Sequence, residues 1–208
     1  MNQMKNTYHH GDLRSSLLET ALEMIRESGV EELSMRKLAD RVGVSRTAPY
    51  HHFADKHELL SAIAEVGFAD YEAGLEAALR GVEDPAQALR VFLGYYVGFA
   101  LEHSQAYNLM FGQGVWKSGH PTEALKGEAH RVFKSYVTRV EAWQKAGVLP
   151  AGADALRLAQ ISWSTLHGLC RLFLDGIYVD RSNVEELLGL AEQMFRQSLQ
   201  AGGAGASY

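Results

Sequence analysis

The 208-residue sequence holds a single cysteine and four prolines. Cys170 alone can form neither an internal disulfide nor a cysteine-based metal site, a usage that fits a reducing cytosol. Pro49, Pro85, Pro121 and Pro150 stand far apart, leaving long stretches in which a helix runs uninterrupted. Val, Ile and Thr are sparse and never alternate with polar residues over a useful length, so strands are not expected. The longest apolar run, Val91 to Leu101, is too short to span a bilayer and reads as a buried helix. No apolar secretion-signal core opens the sequence, so a cytoplasmic location without membrane association is expected. The formal net charge of −5 excludes a uniformly basic nucleic-acid coat. It leaves room for one local basic face, because charge can be segregated along a chain.

What is present is helical periodicity. Apolar residues make up 47% of the chain, enough for a substantial core. Leu13, Leu17, Ala21, Leu22 and Ile25 recur on one face of a helix over residues 12–28, with Asp12 as N-cap and Gly29 as the stop. Ser34 caps a second helix over 35–42, Gly43-Val44-Ser45 forms a turn, and Ser45 opens a third helix ending near His52 or Phe53. Asp55 caps a fourth helix towards Arg80. Asp84 before Pro85 starts a fifth, over 85–103. A short helix over 104–111, a Gly-rich loop over 112–121, and helices over 122–146, 154–175 and 183–200 complete an all-α chain of about nine helices. Ser182 to Glu185 reads as a capping box for the last of them. The expected domains are a DNA-binding helix-turn-helix over 8–55, a larger helical domain over 56–200, and a disordered tail over 201–208.

Residues 34–53, SMRKLADRVGVSRTAPYHHF, carry the functional signal. Leu38, Ala39 and Val42 face inward, Gly43 supplies the turn's backbone freedom, and Val44 fills the gap between the two short helices. Ser45 satisfies free amides at the start of the third helix, and Phe53 closes the core beneath it. Over 34–57, five cations (Arg36, Lys37, Arg41, Arg46, Lys56) stand against Asp40 and Asp55, leaving a local +3. A basic segment on an acidic body is the footprint of a phosphate-binding face. Short helix pairs with a Gly turn also occur in proteins that never touch DNA, so spacing alone leaves both readings open.

Residues 8–68, YHHGDLRSSLLETALEMIRESGVEELSMRKLADRVGVSRTAPYHHFADKHELLSAIAEVGF, resemble the N-terminal domain of the tetracycline-repressor (TetR) family. The resemblance lies in the apolar first helix, the L-A-x-x-x-G-V-S turn and the Y-x-x-F-x-x-K-x-x-L-L ending. It implies an Ω-shaped homodimer that binds a palindromic double-stranded operator and a small effector. Carried over by position, Ser45 to His52 become the recognition helix. Arg46, Thr47 and Ala48 would reach base edges, and Tyr50, His51 and Lys56 would sit on phosphates, with His10 and Gly11 near the backbone. Ser34 and Arg36, at the start of the second helix, complete the expected DNA face. Pro49 departs from the family pattern: it removes an early amide-to-carbonyl bond, so the recognition helix is expected to begin as a 3₁₀ turn.

In the C-terminal part, Trp163-Ser164-Thr165-Leu166-His167-Gly168-Leu169 resembles the WHG signature of one branch of the family, as does Ala106 to Phe111. Aromatic and histidine side chains cluster there. Most are expected in the core, and Phe99, His103, Tyr107, Phe111, Trp116, Phe133, Trp163 and His167 are the candidates for a largely apolar effector pocket. Trp116, in its loop, is placed as a lid. No His or Glu pair has metal-ligand spacing on one helical face, so neither a metal nor a cofactor is expected. Leu156, Ala159, Ser162, Trp163 and Leu166, with Val184, Leu187, Leu188, Ala191, Met194 and Phe195, form stripes on the last two helices. By resemblance this pair meets its twin in a dimer. The residues themselves leave two competitors: an enzyme using His103, His130 or His167, and an architectural DNA protein. No nucleophile–base spacing or phosphate loop supports the first. The acidic body and long second domain argue against the second.

Overall fold

The computed structural model describes residues 13–117, 120–177 and 180–197. Asp12, His10, Gly11 and the expected tail over 201–208 lie outside them. Among the described residues there are nine α-helices, two 3₁₀ turns and no strand. The helices are α1 (Leu13–Ser28), α2 (Met35–Val42), α3 (Lys56–Leu79), α4 (Pro85–Glu102), α5 (Ser104–Phe111), α6 (Gln113–Trp116), α7 (Glu123–Lys145), α8 (Ala155–Asp175) and α9 (Val184–Gln197). The chain divides into two compact units. One comprises Met1–Gly67 with Gln105–Gly127, the other Phe68–Ser104 with Glu128–Tyr208. Residues 105–127 thus group with the N-terminal part rather than with the larger domain, in which the sequence reading places them.

The helix ends follow local chemistry. Ser34, in extended conformation, accepts the Lys37 amide at 3.2 Å, satisfying one of the free donors at the start of α2. Gly43 ends that helix at φ 80°, a left-handed conformation that costs a side-chain-bearing residue dearly, and its amide returns to the Ala39 carbonyl. The Asp84 carboxylate accepts the amides of Ala86 and Gln87 ahead of α4, and Asp154 accepts that of Arg157 ahead of α8. Asp55 takes the Glu58 amide while the Glu58 carboxylate reaches back to the Ala54 amide. These reciprocal bonds fix the start of α3.

Three elements differ from the sequence reading. The third helix is only a 3₁₀ turn over Ala48–His51. Its bonds run from Ala48 to Ser45, Tyr50 to Thr47 and His52 to Pro49, all three residues apart, because Pro49 has no amide to open an α-helical ladder. The Ser45 hydroxyl pairs with the Thr47 hydroxyl at 3.1 Å instead of capping backbone amides. The segment over 112–121 is not loop throughout but contains α6. Gly112 makes the tight entry, where any Cβ would lie 2.3 Å from the Asn108 carbonyl oxygen. The last helix starts at Val184, behind a 3₁₀ turn over Arg181–Asn183 capped by Asp180 rather than by a Ser182 box.

In the first unit, Leu17, Ala21 and Ile25 of α1, Leu38 and Ala39 of α2, Phe53, and Leu59 of α3 are at most 2% exposed. In the second, Leu89, Phe92, Leu93 and Val97 of α4, Val140 and Trp143 of α7, and Leu166, Cys170 and Phe173 of α8 form the core. Helix α4 packs on α8 and α9, and Arg90 reaches Glu192 of α9 at 3.3 Å.

Candidate nucleic-acid interface and ligand-binding core

The candidate interface is built on the buried floor of α1 and α2. Pro49 is buried, so the 3₁₀ turn is held from beneath while Arg46, Thr47, Tyr50 and His51 stand exposed around it. Tyr50 is 53% exposed, a high value for a large aromatic ring. Ala48 opens the turn, half-buried. Arg46 lies 3.8 Å from Asp40, a loose and largely solvated pairing. Arg36 projects from the first turn of α2 and is exposed. The Arg14 guanidinium lies 5.4 Å from the centre of the Phe53 ring, closing the rear of the turn.

The remaining cations of the segment are engaged within the protein. Arg41 makes a bidentate pair with Glu27 of α1, which holds the Glu27 carboxyl below its usual range through hydrogen bonding. Lys37 pairs with Glu32 at 2.8 Å and donates to the Glu32 carbonyl at 3.0 Å; this likewise lowers the Glu32 carboxyl. Lys56 donates to the Val30 carbonyl at 2.7 Å and, more weakly, to that of Glu31 at 3.4 Å. Its ammonium therefore fastens the start of α3 to the turn between α1 and α2, where the sequence reading has it turned outward to phosphate. Ser34 and Ser45 shape backbone, the one as a helix cap and the other within the turn. The local +3 of residues 34–57 is offset by Glu27 and Glu32, which the window leaves out although they fold back onto it.

The eight candidate pocket residues fall in different units. In the first, the Tyr107 ring is 1% exposed and packs 4.9 Å from Phe111. Trp116 belongs to α6, and its indole donates to the Met110 carbonyl at 2.6 Å. That bond ties the ring down, in place of the loop-borne lid expected from sequence. In the second unit, Phe99 is buried edge-on to Tyr71 at 5.3 Å. His103 ends α4, exposed, with its ring against Phe99 at 4.7 Å. Phe133 meets Trp163 edge-on at 6.2 Å, and Trp163 stacks on His167 at 5.3 Å. Burial, helped by the nearby Arg171 charge, lowers the His167 pKa, so its neutral form is favoured.

Two family models match this architecture. "Bacterial regulatory proteins, tetR family" matches residues 17–63, which hold most of α1, all of α2 and the 3₁₀ turn, and the start of α3. "Tetracyclin repressor-like, C-terminal domain" matches residues 89–196, just over half of the chain. The chain belongs to the TetR family. A solved protein of unknown function from a Rhodococcus species is 33% identical, with a TM-score of 0.81 over 93% of this chain and 98% of that one. The TetR-family regulator PfmR from Thermus thermophilus is 27% identical, with a TM-score of 0.66 over 88% of this chain and 98% of its own. The HTH-type transcriptional activator FasR of Mycolicibacterium smegmatis is 33% identical over 110 residues, 53% of this chain and 50% of FasR. The chain thus matches about half the length of that curated relative.

A polar cluster that sequence reasoning missed joins Glu72, which precedes the C-terminal match, to Ser135 and Arg139 within it. Glu72 of α3 is 3% exposed, and its Oε1 accepts from the Ser135 hydroxyl at 2.6 Å and from Arg139 at 3.0 Å. A lone Glu in an apolar helix gives no signal until α7 is seen to bring Ser135 and Arg139 beside it. A second buried pair joins Tyr136 to Ser162 at 2.6 Å. The Ser162 hydrogen goes to the Leu158 carbonyl at 2.7 Å, so the Tyr136 phenol is the donor. Burial pushes that phenol up to about 12, with the Ser162 bond opposing.

Of the eleven residues in the stripes read as the dimer face, five point fully inward. Ala159, Ser162, Leu166, Ala191 and Phe195 are buried within the protomer. The exposed apolar residues of α8 and α9 are instead Leu156, Ile161, Leu172, Leu190 and Met194, with Ile161 at 66% and Met194 at 61%. Of these, only Leu156 and Met194 belong to the sequence-derived stripes. Both faces of α8 carry apolar residues, and periodicity alone cannot choose between them. No helix among the described residues is long and apolar enough to cross a membrane, and no metal-binding group of side chains occurs among them.

Proposed function

We propose that this TetR-family protein is a ligand-responsive, cytoplasmic DNA-binding transcription regulator, a repressor released from a palindromic operator by a small molecule. The observation that carries this reading is the 3₁₀ turn. A buried proline anchors it, while Arg46, Thr47, Tyr50 and His51 stand exposed in and just before it. Arg46, Thr47 and Ala48 then read base edges, and Arg36, Tyr50 and His51 contact phosphate. His10 and Gly11 join this face by resemblance alone. Ser34, Ser45 and Lys56 position the turn, and Lys56 keeps donor capacity to spare for one phosphate oxygen.

The effector site is assigned to the aromatic core of the second unit, around Phe99, Phe133, Trp163 and His167. Its lining favours an apolar or aromatic molecule. Tyr107, Phe111 and Trp116 serve the packing of the first unit, and His103 lies at the rim of the second. Homodimerisation through the last two helices uses the exposed Ile161, Leu190 and Met194. Effector binding then shifts a population between DNA-competent and DNA-incompetent dimers, so effector and DNA weaken each other reciprocally. The test is Tyr50→Ala and Arg46→Ala measured on DNA recovered by wild-type protein. Loss of binding with unchanged helicity and thermal stability is expected, whereas unchanged binding contradicts the assigned face. A second reading, activation rather than repression, is favoured by the activator description of FasR. A reporter driven by the recovered site in a host lacking the regulator separates the two by the sign of the change.

A further inference from the structure

The Glu72 cluster is incompletely satisfied. Ser135 donates to Glu72 Oε1, Arg139 donates both to that oxygen and to the Ser135 hydroxyl, and the triangle closes on itself. Glu72 Oε2 is fully buried and has no hydrogen-bond partner among the described residues. Folded proteins rarely leave a buried carboxylate oxygen unpaired, because its desolvation is then uncompensated. Those that do so tend to hold the oxygen for a ligand or an ordered solvent molecule. The surroundings restrict what can donate. Arg139, 3.0 Å away, already neutralises the carboxylate, so a second cation has no charge left to balance. Around the cluster are Tyr71 and Tyr96, which meet edge-on at 5.8 Å, and Phe92 and Tyr136, stacked at 4.7 Å. Tyr136 adjoins Ser135 on α7, and Tyr71 adjoins Glu72 on α3.

We propose that Glu72 Oε2 is the polar anchor of the effector site, accepting a hydrogen bond from a neutral hydroxyl or amide N–H group on an apolar or aromatic body. A carboxylate or phosphate group is excluded at this point, since two acceptors of like charge would face each other. The proposal rests on the assignment of the second unit as the effector domain. It adds the chemical class of the ligand group and names the residue that selects it. Glu72 and Lys56 share one helix, so a ligand that pulls on Glu72 acts on the same α3 whose first residue fastens the turn between α1 and α2.

The experiment uses the full chain and three probes of one shape: 4-butylphenol, 4-butylanisole and 4-butylbenzoate. Dissociation constants are measured by calorimetry for the wild type and for the double variant Glu72→Met/Arg139→Met, which replaces the buried pair with apolar side chains of similar volume. The wild type is expected to prefer the phenol to the anisole by about tenfold, the worth of one buried hydrogen bond, and to reject the benzoate. The double variant should bind phenol and anisole alike, a loss of discrimination that a purely structural ion pair would not produce. Equal binding of phenol and anisole by the wild type overturns the anchor while leaving an apolar effector site standing. A phenol preference that survives in the double variant also overturns it. Binding of none of the probes overturns the anchor for this ligand class, and failure of a wider ligand set to release DNA would then count against the effector domain itself. If the double variant does not fold, the wild-type order of the three affinities decides.

Discussion

The engagement of Lys37 and Arg41 by glutamates sets how DNA affinity should respond to salt. Each phosphate neutralised by a cation contributes about −0.9 to the slope of log affinity against log salt. Of the five cations between residues 34 and 57, Lys37 and Arg41 are paired with Glu32 and Glu27, and Lys56 is bound to carbonyls. Arg36 is exposed and Arg46 only loosely paired. In a dimer, Arg36→Ala removes two phosphate contacts and should make the slope shallower by about 1.8. Between 50 and 200 mM salt, the wild type should therefore lose about tenfold more affinity than the variant does. Lys37→Ala and Arg41→Ala should leave the slope within error of wild type, although Arg41→Ala removes the tie to α1. The assay is fluorescence anisotropy of a labelled operator fragment across that salt range. Equal flattening by all three substitutions would show that Lys37 and Arg41 leave their glutamates for DNA, and the reasoning from internal pairing would fail.

Gly43→Ala forces a side chain into the left-handed turn at φ 80° and should destabilise the fold by about 1–2 kcal/mol, read as a lowered denaturation midpoint at unchanged slope. Half-buried His167 resists protonation, so its folded pKa lies below the unfolded value of about 6.5. Its contribution to stability is complete above that value and is lost as pH falls towards the lowered one; thermal melts between pH 7.5 and 5 should show a drop that His167→Gln reduces. Ile161→Asp with Met194→Asp places charge on the exposed apolar face of α8 and α9 and should yield monomers in sedimentation velocity, with no loss of helicity.

Much of this fold is legible residue by residue where the governing interaction is local. Ser34, Asp84 and Asp154 cap helices one to three residues away, and Gly29, Gly43 and Gly176 stop them, so those boundaries follow from the sequence. Pro49 foretells a 3₁₀ start to the third element, because a missing amide is a property of one residue, but not that the element stops there. Less follows where partners lie far apart in the chain. Arg41 finds Glu27 fourteen positions back, and Arg139 finds Glu72 sixty-seven positions back. A charge count over a fixed window therefore overstates the basic face. The same limit explains α8, whose apolar residues cover more than one face: packing on α4 decides which side is core, and sequence periodicity does not. Helix α6 is hidden in a Gly-rich segment, held by the bond from Trp116 to Met110 rather than by propensity.

The most direct test of the central claim is selection of bound fragments from a random DNA library by the full-length protein, at stated salt and with protein-to-DNA stoichiometry measured on the recovered site. The account predicts a two-fold symmetric sequence bound by a dimer, with half-site centres one helical turn apart, about 34–36 Å. Recovery of fragments with no shared sequence, or no retention even in low salt, would contradict it.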